Sequence, residues 1–84
     1  MPAASNNAPR QVQAYLDQVA SARLGERNST LNRCAFIAFK IALRTTCCSA
    51  EDVMDAMTAA ARTCGLTDAE ATATLHSART AAYR

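Results

Sequence analysis

The chain of 84 residues has no tryptophan, only two glycines and two prolines, and an aromatic content of 5%. Few aromatic residues and scattered β-branched residues argue against a β-sheet, because strands favour both types. Much of the apolar half of the composition is alanine, the best helix former. These proportions predict closely packed helices, in a single domain with a small stability margin.

Long apolar runs are also missing. No stretch approaches the ~18 apolar residues of a membrane-spanning helix, and residues 1–10 lack the apolar segment of a signal peptide. We therefore expect a cytoplasmic protein with no membrane partner. In that compartment its four cysteines are expected to be reduced thiols.

The sequence contains no pattern that indicates catalysis or a metal site. The cysteines show no C-x-x-C spacing, and His76, the only histidine, cannot complete a zinc-finger pattern. Cys34 and Cys64 are interpreted as small buried hydrophobes, whereas Cys47 and Cys48 are expected to react quickly in a loop. Most carboxylates fall in the first turns of predicted helices, where they offset the helix dipole. We expect no enzyme, no metal and no cofactor.

Apolar periodicity predicts a compact all-α four-helix bundle over residues 9–84, preceded by a short flexible tail over residues 1–8. The first helix begins near Pro9 and ends by Gly25. A second helix begins around residues 28–30, all residues suited to an N-cap. It is apolar on almost every face, which is typical of the buried centre of a bundle.

Local signals predict the boundaries of the last two helices. Ser49 and Asp52 form a variant of the capping box before the third helix, and Thr67 and Glu70 form a full capping box before the fourth. Gly65 is suited to the C-terminal end of the third helix. The short link between these helices predicts an antiparallel hairpin.

Positive charge is concentrated in the second quarter of the chain. Residues 25–48 have a net charge of +3, with Arg27, Arg33, Lys40 and Arg44 against Glu26. Arg27 and Arg33 lie near a predicted helix N-terminus, where the dipole disfavours a cation. Arg33, Lys40 and Arg44 are spaced i, i+7, i+11, which places them in one line. A polyanion ligand would explain these positions, and so would solvated charges at the rim of an apolar surface.

The turn over residues 25–30 offers a second indication of an anion. Backbone N–H groups at a helix start are free to bind one. Asn28 and Asn32 are placed to add side-chain amides, although Asn28 would also serve as a plain N-cap.

These residues resemble a known module. Gly25–Asn28, Leu31–Asn32 and Ala35 match the pattern G-x-R-N-x-x-L-N-x-x-A, with which a helical module of phage- and plasmid-type DNA primase-polymerases begins. Residues 53–70 resemble its small-residue stretch, Gly-Leu pair and acidic turn, and residues 74–84 resemble its closing segment. The likeness covers residues 12–84. Residues 45–48 depart from it, since Thr-Thr-Cys-Cys stands where the family has a Gly-Leu pair, and the catalytic core is absent.

The resemblance implies a non-enzymatic accessory module of DNA replication. Such a module follows the catalytic core and would bind single-stranded DNA template, nucleotide or both, beside a primase or helicase. The resemblance assigns the contacts to Arg27, Asn28, Asn32, Arg33, Ser77 and Arg79, and the charge pattern adds Lys40. The alternative is a small regulator or inhibitor encoded by a mobile element, which binds a nucleic-acid enzyme as a decoy. The modest net charge of +2 suits that alternative at least as well, and the sequence leaves the oligomeric state open.

Overall fold

The computed structural model describes residues 10–45 and 48–84, and within them all regular secondary structure is helical. The four helices are α1 (Arg10–Ala20), α2 (Arg27–Arg44), α3 (Ala50–Cys64) and α4 (Asp68–Ala82). The predicted all-α four-helix bundle is confirmed. The predicted tail over residues 1–8 and the helix start at Pro9 lie outside the described residues. No helix in the described ranges has the length and apolar character needed to cross a membrane.

Helix α2 contacts each of the other three helices, and α3 also contacts α1 and α4. Helices α2 and α4 run in the same direction. The hydroxyl of Thr74, midway along α4, hydrogen-bonds the side chain of Asn28 in the first turn of α2. Near their C-termini, the rings of Phe39 and Tyr83 pack edge to face with centroids 6.2 Å apart. This parallel pairing brings the first turns of α2 and α4 together.

Both predicted capping boxes are present. The Ser49 hydroxyl accepts the Asp52 amide at 3.1 Å, and the Asp52 carboxylate accepts the Ser49 amide at 3.0 Å. Thr67 and Glu70 make the same reciprocal pair at 3.2 and 3.0 Å. Gly65 ends α3 with φ of 100°, the left-handed conformation that favours glycine. The local signals in this half of the chain predicted its helix boundaries correctly.

The predicted start of α2 is wrong by a few residues. The N-cap is Glu26, whose side chain makes no capping hydrogen bond, and the helix begins at Arg27. Asn28 therefore lies inside the first turn and does not cap the helix. Its side chain reaches across to α4 instead, and this contact between helices outweighs the local preference of asparagine for a cap.

The core forms from one face of each helix, as the apolar stripes predict. Its largest fully buried side chains are Phe39, Leu31, Met57, Leu75, Val12, Val19, Val53 and Cys34. Cys64 is only partly buried. Cys48 lies between α2 and α3, as predicted, but it is buried in the core and does not have the exposure that quick reaction requires. Cys47 lies outside the described residues.

Burial of α2 on almost every face is also wrong. Three neighbouring helices cover only part of its surface. Its other side leaves Phe36 at 37% exposure and Leu43 at 49%, beside the exposed Arg33 and Arg44. Among the described residues, no helix other than α1, α3 and α4 is present to cover that face.

Candidate functional site

An open groove of about 450 Å³ lies between the N-terminal half of α2 and the middle of α4. It is lined by Asn28, Ser29, Asn32, Ala73, Thr74 and Ser77. Every lining side chain except that of Ala73 carries an amide or a hydroxyl. Because α2 and α4 run in parallel, residues about 45 positions apart in sequence meet at this groove, which we call the α2–α4 groove.

A hydrogen bond between the helices fixes one wall of the groove. The hydroxyl of Thr74 donates to Oδ1 of Asn28, and Thr74 is only 9% exposed. The other end of the Asn28 amide makes no hydrogen bond within the described residues. Asn32 lies one turn further along α2 and is exposed, and Ser77 lies about one turn beyond Thr74 on α4. The groove thus offers both donors and acceptors to a polar ligand.

Arg27 lies beside the groove, but its guanidinium binds within the fold. Nη1 of Arg27 donates to the carbonyl oxygen of Cys64 at 3.2 Å, which joins the start of α2 to the end of α3. Hydrogen bonds from the backbone and hydroxyl of Thr67 hold the pKa of Glu70 below its ordinary value, and the charge of Arg27 adds to this effect. Arg27 and Glu70 line one small pocket of about 150 Å³. An anion at this helix start would therefore lie near a carboxylate.

Arg33 and Lys40 lie on the uncovered side of α2 and do not line the groove. Nη2 of Arg33 donates to Oε1 of Gln18 at 3.2 Å, which ties the side chain towards α1. The Lys40 ammonium lies 5.6 Å from the centroid of the Phe36 ring, within cation–π range. Both cations remain accessible to an anionic ligand that follows this face of the helix.

The two residues predicted on α4 differ in their surroundings. Ser77 lines the groove. Arg79 donates to the carboxylate of Glu51 at 3.3 Å and lies 5.7 Å from the centroid of the Tyr83 ring. The structure therefore brings Asn28, Asn32 and Ser77 together, while Arg27, Arg33, Lys40 and Arg79 lie outside this groove.

Two lining residues were missed from the sequence. Ser29 stands next to Asn28, and its sequence context indicates only a possible N-cap. Thr74 interrupts the alanine and leucine stripe that α4 buries, and it is the one buried polar side chain among the described residues. A threonine within a buried stripe signals a hydrogen bond to another helix, because a buried hydroxyl requires a partner.

Helix α2 has an unbalanced charge. Its 18 residues include four cations and no carboxylate. By contrast, Arg62 makes a two-bond pair with Asp68 at 2.8 and 3.1 Å. Its hydrogen bonds and charge hold the pKa of Asp68 below its ordinary value. Arg62 is thus a cation whose position the fold already explains, in contrast to Lys40.

Within the described ranges, no group of three or more His, Cys, Asp or Glu side chains is arranged to hold a metal ion. The site consists instead of hydrogen-bonding side chains beside a cationic helix, an arrangement suited to binding a polar, anionic molecule. No protein-family model matches the chain, and comparisons with curated proteins and with solved structures also found no match.

Proposed function

We propose that this chain is a non-enzymatic accessory module of DNA replication, which binds single-stranded DNA, nucleotide or both beside a primase or helicase. One observation carries the proposal. A helix with four cations and no carboxylate forms one wall of a groove that amides and hydroxyls line. Phosphates of a strand would lie along the cations of α2, and sugars or base edges would meet the groove.

The composition of the groove supports the same proposal. The resemblance to primase-polymerase modules assigns ligand contacts to Asn28, Asn32 and Ser77, and all three line this groove. Ser77 is 45 positions from Asn32 in the sequence. Their amides and hydroxyl can hydrogen-bond to phosphate, sugar and base atoms alike. Contacts to phosphate and sugar position a strand without preference for its sequence, and this suits a module that acts on any template.

A salt titration tests the proposal. If Arg33 and Lys40 neutralise phosphates, the logarithm of the affinity for a fluorescent oligo(dT) should fall linearly with the logarithm of salt concentration. Each neutralised phosphate contributes a slope of about −0.7. Arg33→Ala and Lys40→Ala should each make the slope shallower by roughly that amount, with an unchanged circular dichroism spectrum.

Arg62→Ala is the matched control, because Asp68 already pairs with that cation. It should leave both affinity and slope nearly unchanged. Equal losses at Arg62 and Arg33, or no measurable binding at low salt, would contradict binding of DNA by α2.

The second candidate is a small mobile-element regulator that binds a nucleic-acid enzyme. Apolar side chains exposed on α2 favour it, together with the modest net charge of +2. A stoichiometric complex with a primase or helicase, without affinity for oligo(dT), would favour this candidate over the first.

A further inference from the structure

A second surface lies on the C-terminal half of α2, on a side that none of the other three described helices covers. It forms an open depression of about 450 Å³ lined by Phe36, Ile37, Lys40, Ile41, Leu43 and Arg44. We call these residues the α2 patch. It shares no lining residue with the α2–α4 groove.

The α2 patch gives the helix a second apolar face. The first face, which includes Leu31, Ala38 and Phe39, is buried in the core. In the patch, Leu43 is 49% exposed and Phe36 is 37% exposed, while Ile37 and Ile41 are half-buried. Single exposed apolar residues are ordinary. The α2 patch instead groups four apolar side chains over two helical turns, and such grouping is typical of an interaction site.

The charges around the patch indicate its occupant. Lys40 and Arg44 lie among the apolar side chains of the patch, and α2 contains no carboxylate to balance them. A second copy of this chain, packed symmetrically, would bring these cations against one another. A nucleic-acid strand would meet the cations, but would gain little from the aliphatic Ile37, Ile41 and Leu43.

We propose that the α2 patch docks an acidic amphipathic helix of a partner protein. The apolar stripe of that helix would cover Phe36 and Leu43, and carboxylates flanking the stripe would lie near Lys40 and Arg44. This is the helix-in-groove mode of recognition, with anchors at i, i+3, i+4 and i+7. The docked helix leaves the residues that line the α2–α4 groove uncovered, but it shares Lys40 with the strand of the proposed function, so partner and strand would compete for that cation.

The test uses a labelled helical peptide of about 18 residues, with leucines at i, i+3, i+4 and i+7 and glutamates flanking that stripe. Fluorescence anisotropy measures its binding to the full chain. A peptide with lysine in place of each glutamate should bind at least about tenfold more weakly, because like charges would meet. Leu43→Gln should weaken the acidic peptide by roughly fivefold or more, since a central apolar anchor is lost.

Leu24→Gln provides the matched control, because Leu24 is 83% exposed and lies outside the patch. It should leave peptide affinity unchanged, and Leu43→Gln should leave affinity for oligo(dT) unchanged. Absence of binding by the acidic peptide, equal affinity for the two peptides, or equal losses at Leu24 and Leu43 would overturn the proposal. A dimer that Leu43→Gln abolishes would assign the patch to a second copy. Weaker oligo(dT) binding in that variant would assign it to DNA.

Discussion

At the residue scale, one guanidinium connects three segments of the fold. Arg27 begins α2, donates to the last residue of α3 through the Cys64 carbonyl, and lies near Glu70 in the first turn of α4. Its position at a helix N-terminus is unfavourable for the dipole of its own helix. The carbonyl at the end of α3 and the Glu70 carboxylate compensate for that cost. This arrangement explains Arg27 without a ligand, so a contact between Arg27 and DNA stays a prediction.

Gly65 gives a direct test of this arrangement. Both Gly25 and Gly65 have positive φ, so alanine at either position should cost roughly 1–2 kcal/mol in backbone strain. A Cβ at Gly65 would also lie 2.6 Å from Nη1 of Arg27, whereas a Cβ at Gly25 meets nothing within 4 Å. Gly65→Ala should therefore displace Arg27 and cost roughly 0.5–1.5 kcal/mol more, the value of a lost hydrogen bond.

Urea unfolding of the two glycine variants measures this difference. In an Arg27→Ala background the extra cost at Gly65 should disappear, because the displaced bond is already absent. An excess cost that persists in that background would contradict the role given to Arg27.

At the scale of the elements, the capping boxes determine where α3 and α4 begin. Removing the hydroxyl in Ser49→Ala or Thr67→Ala should cost roughly 0.5–2 kcal/mol each. In a domain of this size, such a loss should lower the melting temperature by several degrees. Thermal unfolding by circular dichroism at neutral pH measures the change, and an unchanged midpoint in both variants would contradict the helix starts.

The cap of α4 should also make stability depend on pH. The pKa of Glu70 is lowered in the fold, first through hydrogen bonds from Thr67. The unfolded chain therefore binds more protons than the folded chain once the pH falls to the ordinary carboxyl range of about 4. This contribution is complete above that range and is lost as the pH falls below it.

Acid titration of the melting temperature separates the two caps. Thr67→Ala removes the partner of Glu70, so its melting temperature should fall less between pH ~6 and ~3 than that of the wild type. Ser49→Ala leaves the pair of Thr67 and Glu70 intact, and should retain the dependence that this pair produces. Identical acid dependence in all three proteins would contradict the linkage.

Local signals explain which elements the sequence predicts correctly. The starts of α3 and α4 depend on contacts three residues apart, and the end of α3 depends on one glycine. The predicted start of α2 is misplaced because the residue at its N-cap, Glu26, makes no capping hydrogen bond with its side chain. Asn28, a residue type better suited to capping, follows two positions later and is the stronger local signal. Asn28 does not cap because it hydrogen-bonds Thr74, a residue 46 positions away.

At the scale of the whole molecule, the site depends on how the helices pack. The α2–α4 groove exists because those two helices run in parallel, and helical periodicity within either segment cannot predict that pairing. The resemblance named Asn28, Asn32 and Ser77 without a geometric reason, while the charge pattern named Arg33 and Lys40 on a different face. The uncovered face of α2 is not predicted because an apolar helix indicates burial, whereas in the part of the chain that the structure describes only three helices pack against it.

The central claim is that a nucleic-acid strand or nucleotide occupies the α2–α4 groove. Titration of the isotopically labelled protein with oligo(dT) of about ten nucleotides at low salt, followed by NMR, tests it most directly. Site sizes of ssDNA-binding modules are of that order. The backbone amides of residues 28–32 and 73–77 should shift together, with the side-chain amide signals of Asn28 and Asn32. Shifts confined to residues 36–44, or no shifts at all, would contradict binding in the groove.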